Sequence, residues 1–164
     1  MKKRCKMILI SHIVFFVAVV VDILTKEWAL NNLVNNPIAV CKGLNLSLIF
    51  NRGITWGLLS FHSDFAFNIL TAVIFLVILL FTAHTFYAVK RGKQCVFFEF
   101  LILAGAFSNL LDRVLHQGVV DFIDVYIGSF HWATFNLADV YVVVGVIGIL
   151  IRFFSPTICG GRFE

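Results

Sequence analysis

The sequence predicts an all-α membrane protein, with four transmembrane helices and a small strand-and-loop segment facing outward. Composition is the first observation behind this. Of 164 residues, 60% are hydrophobic and 13% charged, and the mean hydropathy is +0.97. A water-soluble domain carries about a quarter charged residues, so such a surface could not be furnished here. Second, several apolar runs reach the roughly 20 residues that cross a bilayer as a helix. Third, basic residues gather at one set of run ends and acidic residues at the other. Residues 1–164 are therefore read as a single integral membrane domain.

The first run, Met7 to Val21, follows Lys2, Lys3, Arg4 and Lys6, as a secretory signal peptide would. It lacks a small-residue cleavage site and continues into Asp22, Thr25 and Lys26, which predicts a retained span over about 7–26. The second span, about 65–86, is almost entirely hydrocarbon and closes at Lys90-Arg91-Gly92-Lys93. The third covers about 96–115 and the fourth about 135–154, where Arg152 can snorkel at the inner end. A basic first flank and four spans put both termini and the Lys90–Lys93 loop in the cytoplasm. The basic residues, Arg162 included, follow that topology rather than forming one patch. No nucleic-acid partner is expected.

Two longer segments then face outward. The first, about Glu27 to Asp64, contains the strand-like alternation Leu44-Asn45-Leu46-Ser47-Leu48 and a turn at Asn51-Arg52-Gly53. The second, about His116 to Thr134, carries Val119-Val120-Asp121-Phe122 and Val125-Tyr126. Trp28, Trp56 and Trp132 all fall on this side, where indoles favour the headgroup interface. Cys5, Cys95 and Cys159 fall at cytoplasmic ends and Cys41 stands alone outside, so the cysteines make neither a disulfide framework nor a metal site.

Ionisable residues within spans are costly and need a partner or a task. Asp22, Asp112, Arg113, Asp121 and Asp139 all fall near the outer ends of their spans, in one layer. Asn109, Asp112, Arg113 and His116 are three or four residues apart and share a helix face with Gly105, which would let another helix approach closely. Asn136 and Asp139 form an i, i+3 pair, and Asp22 and Lys26 an i, i+4 pair. Asp112 and Arg113 read as a charge-balancing pair. Asp124 is an outer-loop acid without a task, and His84, His116 and His131 are interfacial or packing residues. Gly145 and Gly148 ease helix packing.

Two carboxylates a few ångströms apart hold one proton between them. The ionised member can activate a water while the protonated member polarises a scissile carbonyl. Proton-coupled transporters also use carboxylates, so a small transporter is the competing reading. A relay, however, needs acids at several depths. Glu99 is the only acid toward the inner side of span three, about 20 Å from Asp112 at the helical rise.

Five blocks in chain order resemble the lipoprotein signal peptidase family, also called signal peptidase II. They are Asp22-Ile23-Leu24-Thr25-Lys26, Asn51-Arg52-Gly53 with Trp56-Gly57, Ser108-Asn109-Leu110-Leu111-Asp112-Arg113, Val119-Val120-Asp121-Phe122, and Phe135-Asn136-Leu137-Ala138-Asp139. The resemblance implies an inner-membrane aspartic endopeptidase that removes the signal peptide of a diacylglyceryl-modified bacterial prolipoprotein, just before the lipidated cysteine. Asp121 and Asp139 would be its catalytic pair. Asn109, Asp112, Arg113 and Asn136 would support them or hold the substrate backbone. Asn51 and Gly53 would belong to an outward-facing β-cradle, and Asp22 and Lys26 would be structural or orienting. No metal or other cofactor is implied; the partners would be prolipoproteins and membrane lipids.

Two positions depart from the family pattern. Ser108 stands where the third block usually has glycine, and its hydroxyl is expected to bond back along its own helix. Ile54-Thr55-Trp56 replaces the small residues and phenylalanine that usually follow Gly53, which would reshape the cradle. The Asn51–Gly57 stretch is expected to be a flap over the catalytic pair.

Overall fold

Four helices and four short strands make up the described part of the chain. The computed structural model describes residues 2–53, 63–92 and 95–154. The Ile54-Thr55-Trp56 departure, Gly57 and with it most of the expected flap, Lys93, Cys159 and Arg162 lie outside the described residues. The elements run α1 (Lys2–Asn32), β1 (Ile38–Cys41), β2 (Leu44–Asn51), α2 (Asp64–Lys90), α3 (Phe97–His116), β3 (Val119–Ile127), β4 (Phe130–His131) and α4 (Leu137–Phe154).

Three helical stretches among the described residues, Cys5–Asn32, Asp64–Lys90 and Leu137–Phe154, are long and apolar enough to cross a membrane. In α2 only Phe67 and Thr85 are buried, so the hydrocarbon faces outward nearly all round. Such a surface suits lipid and not water. Thr71, Thr82 and Thr85 each return their hydroxyl to the carbonyl four residues back, which satisfies those three donors within the helix. The helix α3 has matching length but carries Glu99, Asp112 and Arg113, all buried. It occupies the centre, packed against α1, α2 and α4.

Glycine makes the α3–α4 crossing possible. A Cβ on Gly105 would lie 2.2 Å from the Ala138 carbonyl oxygen, and one on Gly145 would lie 2.9 Å from the Phe98 carbonyl oxygen. Backbones that close leave no room for a methyl group. On the other flank of α3, Leu101 and Ala104 pack against Ala18 and Val19 of α1.

The structure revises two readings of the chain. The helix α1 does not give way to an outer segment at Glu27 but continues to Asn32. The added turns bury Ala29 and Leu33 against Phe122, Leu46 and Leu48, so the helix serves as a mount for the sheet. Arg152 does not snorkel: it is buried, donates to Glu99 Oε1 at 2.5 Å and Oε2 at 3.1 Å, and to the Cys95 carbonyl at 2.7 Å. A carboxylate within reach of a buried guanidinium outcompetes a distant interface.

The sheet is antiparallel in the order β1-β2-β3-β4. Gly43, at φ +96°, turns β1 into β2. A register shift in the β2–β3 pairing falls between Leu46 and Ile49, after which Ile49 faces Asp121 and Asn51 faces Val119. Beyond it, Asn51 and Asp121 are diagonal neighbours on one face. Phe135 exchanges backbone hydrogen bonds with Ile123 at 2.9 and 3.1 Å, which ties the entry of α4 to β3. That tie brings Asn136 and Asp139 beside Asp121.

Candidate active site

Asp121 comes from β3 and Asp139 from the first turn of α4, and both line a cleft of about 250 Å³. Asn51, Gly53, Asn109 and Arg113 line it too. A wider groove of about 620 Å³ adjoins on the sheet side, sharing Asn51, Asp121 and Thr134 and adding Phe50, Phe130 and Trp132.

Side-chain amides hold the two carboxylates from behind. Asn136 Nδ2 donates to Asp121 Oδ1 at 2.7 Å, and Asn51 Nδ2 donates to Asp121 Oδ2 at 3.0 Å. Asp139 Oδ1 accepts from Asn109 Nδ2 at 2.9 Å, and its Oδ2 accepts from the Asn136 backbone N–H at 3.3 Å. Asn136 thus donates to both aspartates. Its own Oδ1 accepts the Asp139 N–H at 3.0 Å, so the amide cannot turn over without losing that bond. Asn51 is locked likewise, because its Oδ1 accepts the Gly53 N–H at 2.9 Å.

Asp121 is 2% exposed. Burial, aided by the negative charge of Asp139, pushes its carboxyl up to about 7, against the opposing pull of Asn51, Asn136 and Lys26. A carboxyl there holds its proton at neutral pH about half the time, as acid–base work requires.

Behind the amides lies a second, buried layer. Lys26 Nζ sits 2.7 Å from Asp22 Oδ2, 2.8 Å from Asp112 Oδ2 and 2.8 Å from Asn109 Oδ1. Asp112 is therefore paired with Lys26 across helices, not with Arg113 beside it. Arg113 Nη2 donates to the Gly53 carbonyl at 2.5 Å, while its buried Nη1 has no hydrogen-bond partner. Ser108 corrects another expectation, since its hydroxyl donates to Asp22 Oδ2 at 2.6 Å rather than back along α3. A charged acceptor wins over a neutral carbonyl. His116, although on the predicted face, is exposed.

Sequence reasoning missed Asp124. It is buried in β3, where it accepts from Asn45 Nδ2 at 3.3 Å and contacts His131 Nδ1 at 2.9 Å, pinning the β3–β4 hairpin. Its place two residues from Phe122 and Tyr126 in a strand-like run was the available signal. Glu99, the inner acid weighed as a relay step, is held in the ion pair with Arg152.

Residues 14–155 match the family described as "Signal peptidase (SPase) II". The lipoprotein signal peptidase of Blochmanniella pennsylvanica is 35% identical over 134 residues, covering 81% of each chain. That of Buchnera aphidicola subsp. Schizaphis graminum is 35% identical over 151 residues, covering 92% of this chain and 96% of its own. A solved bacterial membrane enzyme, determined by the in meso method, superposes with a TM-score of 0.74 at 28% identity, over 94% of this chain and 93% of its own. Three lines of similarity thus run through nearly the whole length, and this chain belongs to the signal peptidase II family.

Proposed function

We propose that the chain is an aspartic endopeptidase, one multi-pass domain in the bacterial inner membrane, which cleaves diacylglyceryl-modified prolipoproteins just before the lipidated cysteine. Family membership makes it a peptidase of prolipoprotein signal peptides. Asp121 and Asp139 are the catalytic pair. The observation that carries this reading is their common attachment to Asn136 within one cleft.

In the reaction the pair shares one proton. Asp121, with its raised pKa, holds it and hydrogen-bonds the scissile carbonyl oxygen. Asp139, in the first turn of α4 where an anion is favoured, takes a proton from the attacking water. The tetrahedral intermediate collapses as a proton passes to the departing amine. Arg113, through its unpartnered Nη1, supplies a donor for substrate backbone. Asn51 and Gly53 anchor the cradle end, while Asn109 and Asn136 align the carboxylates.

The helix α3 is the fourth span, its three charged residues shielded by α1, α2 and α4. Both termini lie in the cytoplasm and the cleft near the outer face, in line with the basic first flank. The test supplies purified enzyme with a diacylglyceryl-modified prolipoprotein and follows signal-peptide release. Asp121→Asn and Asp139→Asn should each lose at least about 10²-fold in kcat while still folding. Wild-type turnover in either variant would overturn the assignment.

A further inference from the structure

Lys26 is 2% exposed, and an ammonium there has three hydrogens and no acceptor. Its three contacts, Asp22, Asp112 and Asn109, match that number. Each of the three also reaches a segment that carries a catalytic aspartate. Asp22 Oδ1 accepts the backbone N–H of Ala138, the residue before Asp139, at 2.8 Å. Asp112 Oδ2 accepts the N–H of Val120, the residue before Asp121, at 3.0 Å. Asn109 Oδ1 accepts from both the ammonium, at 2.8 Å, and Asn136 Nδ2, at 3.1 Å, so its NH2 is turned to Asp139. A flipped Asn109 would set oxygen against carboxylate.

We infer that Lys26 is the positioning residue of the catalytic pair: through Asp22 and Asp112 it holds the segments bearing Asp121 and Asp139 at one separation, and together with Asn136 it keeps the Asn109 amide donating into Asp139. The inference rests on the peptidase reading above. Lys26 does not touch the reacting atoms in this arrangement. A lysine present only for charge balance would need the carboxylates near it but not their bonds to the Val120 and Ala138 N–H groups, and those bonds are what separates the two roles. Among the described residues, the charged and titratable groups around the pair are Asp22 and Lys26 from α1, Arg52 just after β2, Asp112 and Arg113 from α3, and His131 from β4.

The experiment measures kcat, KM and the pH profile of the purified full chain on a diacylglyceryl-modified prolipoprotein. Lys26→Met should lose at least about 10²-fold in kcat with KM within about 3-fold of wild type. Lys26→Arg, again a donor without an acceptor, should recover about 10-fold of that loss. Asn109→Asp is nearly isosteric, and its folding is checked by thermal unfolding in detergent. It presents no donor to Asp139, and should lose about 10²-fold with a displaced pH profile. Wild-type kcat in Lys26→Met, or wild-type kcat and pH profile in Asn109→Asp, would overturn the inference. Should Lys26→Met not fold, Lys26→Arg decides: kcat about 10-fold below wild type with KM unchanged supports the inference, and wild-type kcat overturns it. An active Asp139→Asn in the same assay would instead overturn the catalytic pair, separately from Lys26.

Discussion

Asp121→Asn should change how stability depends on pH, and the size of the change follows from the site. In the folded chain the carboxyl sits at about 7, against 3.8 for an unperturbed aspartate. Below 3.8 both states are protonated, and burial of the neutral acid is fully tolerated. Between the two values the unfolded chain ionises and the folded one does not, so stability is lost as pH rises, until ionisation in the folded state levels the curve above about 7. At 1.36 kcal/mol per unit this amounts to about 4 kcal/mol, of which about 3 falls between pH 5 and 7.5. Asparagine removes that dependence at a cost. Asn51 and Asn136 are both locked as donors toward residue 121, and an amide there must point its NH2 at one of them. That mismatch costs about 1–3 kcal/mol at every pH. The variant should therefore gain about 3 kcal/mol on wild type between pH 5 and pH 8 and be at least as stable as wild type by pH 8. Thermal unfolding in detergent, followed by tryptophan fluorescence at half-unit pH steps, reads this as a rise of the variant's Tm relative to that of wild type as pH increases. A difference constant to within about 0.5 kcal/mol from pH 5 to pH 8 would refute the reasoning, because Asp121 would then not titrate in that window.

Two further outcomes test the frame that holds the site. Gly105→Ala places a methyl group 2.2 Å from the Ala138 carbonyl oxygen, so α3 and α4 must part. It should cost about 1–3 kcal/mol in stability, and also lower kcat because Ala138 adjoins Asp139; an unchanged Tm would contradict the close crossing. For topology, an impermeant maleimide added to intact cells should label the exposed Cys41 of β1 and spare Cys5 and Cys95. The reverse pattern would invert the orientation.

Much of this architecture was legible because a bilayer leaves the backbone few choices. An apolar run of sufficient length must satisfy its own hydrogen bonds, so α2 and α4 could be placed to within a few residues from hydropathy alone. The outer end of α1 was not legible. Glu27 to Asn32 is polar enough to pass for a loop, and only burial of Ala29 and Leu33 against a sheet from elsewhere in the chain keeps it helical. The sheet register was hidden for a related reason. Alternation in Leu44–Leu48 signals a strand, but the register shift that puts Asn51 diagonal to Asp121 depends on its partner.

The site divides along the same line. Spacing within one helix predicts which residues share a face, and so it brought Asn109, Asp112 and Arg113 together. It does not predict what crosses from another helix. Asp112 next to Arg113 invited a local ion pair, yet the buried charge that meets it is Lys26, from 86 positions earlier in the chain. Ser108 makes the same point. Read alone, a serine in place of glycine is a small tolerated change, because an isolated helix offers its hydroxyl only its own carbonyls. With Asp22 facing it, the hydroxyl joins the ion-pair layer that also holds the Ala138 N–H. The departure from the family pattern therefore does not loosen the site. It adds a donor to the carboxylate through which Lys26 reaches α4.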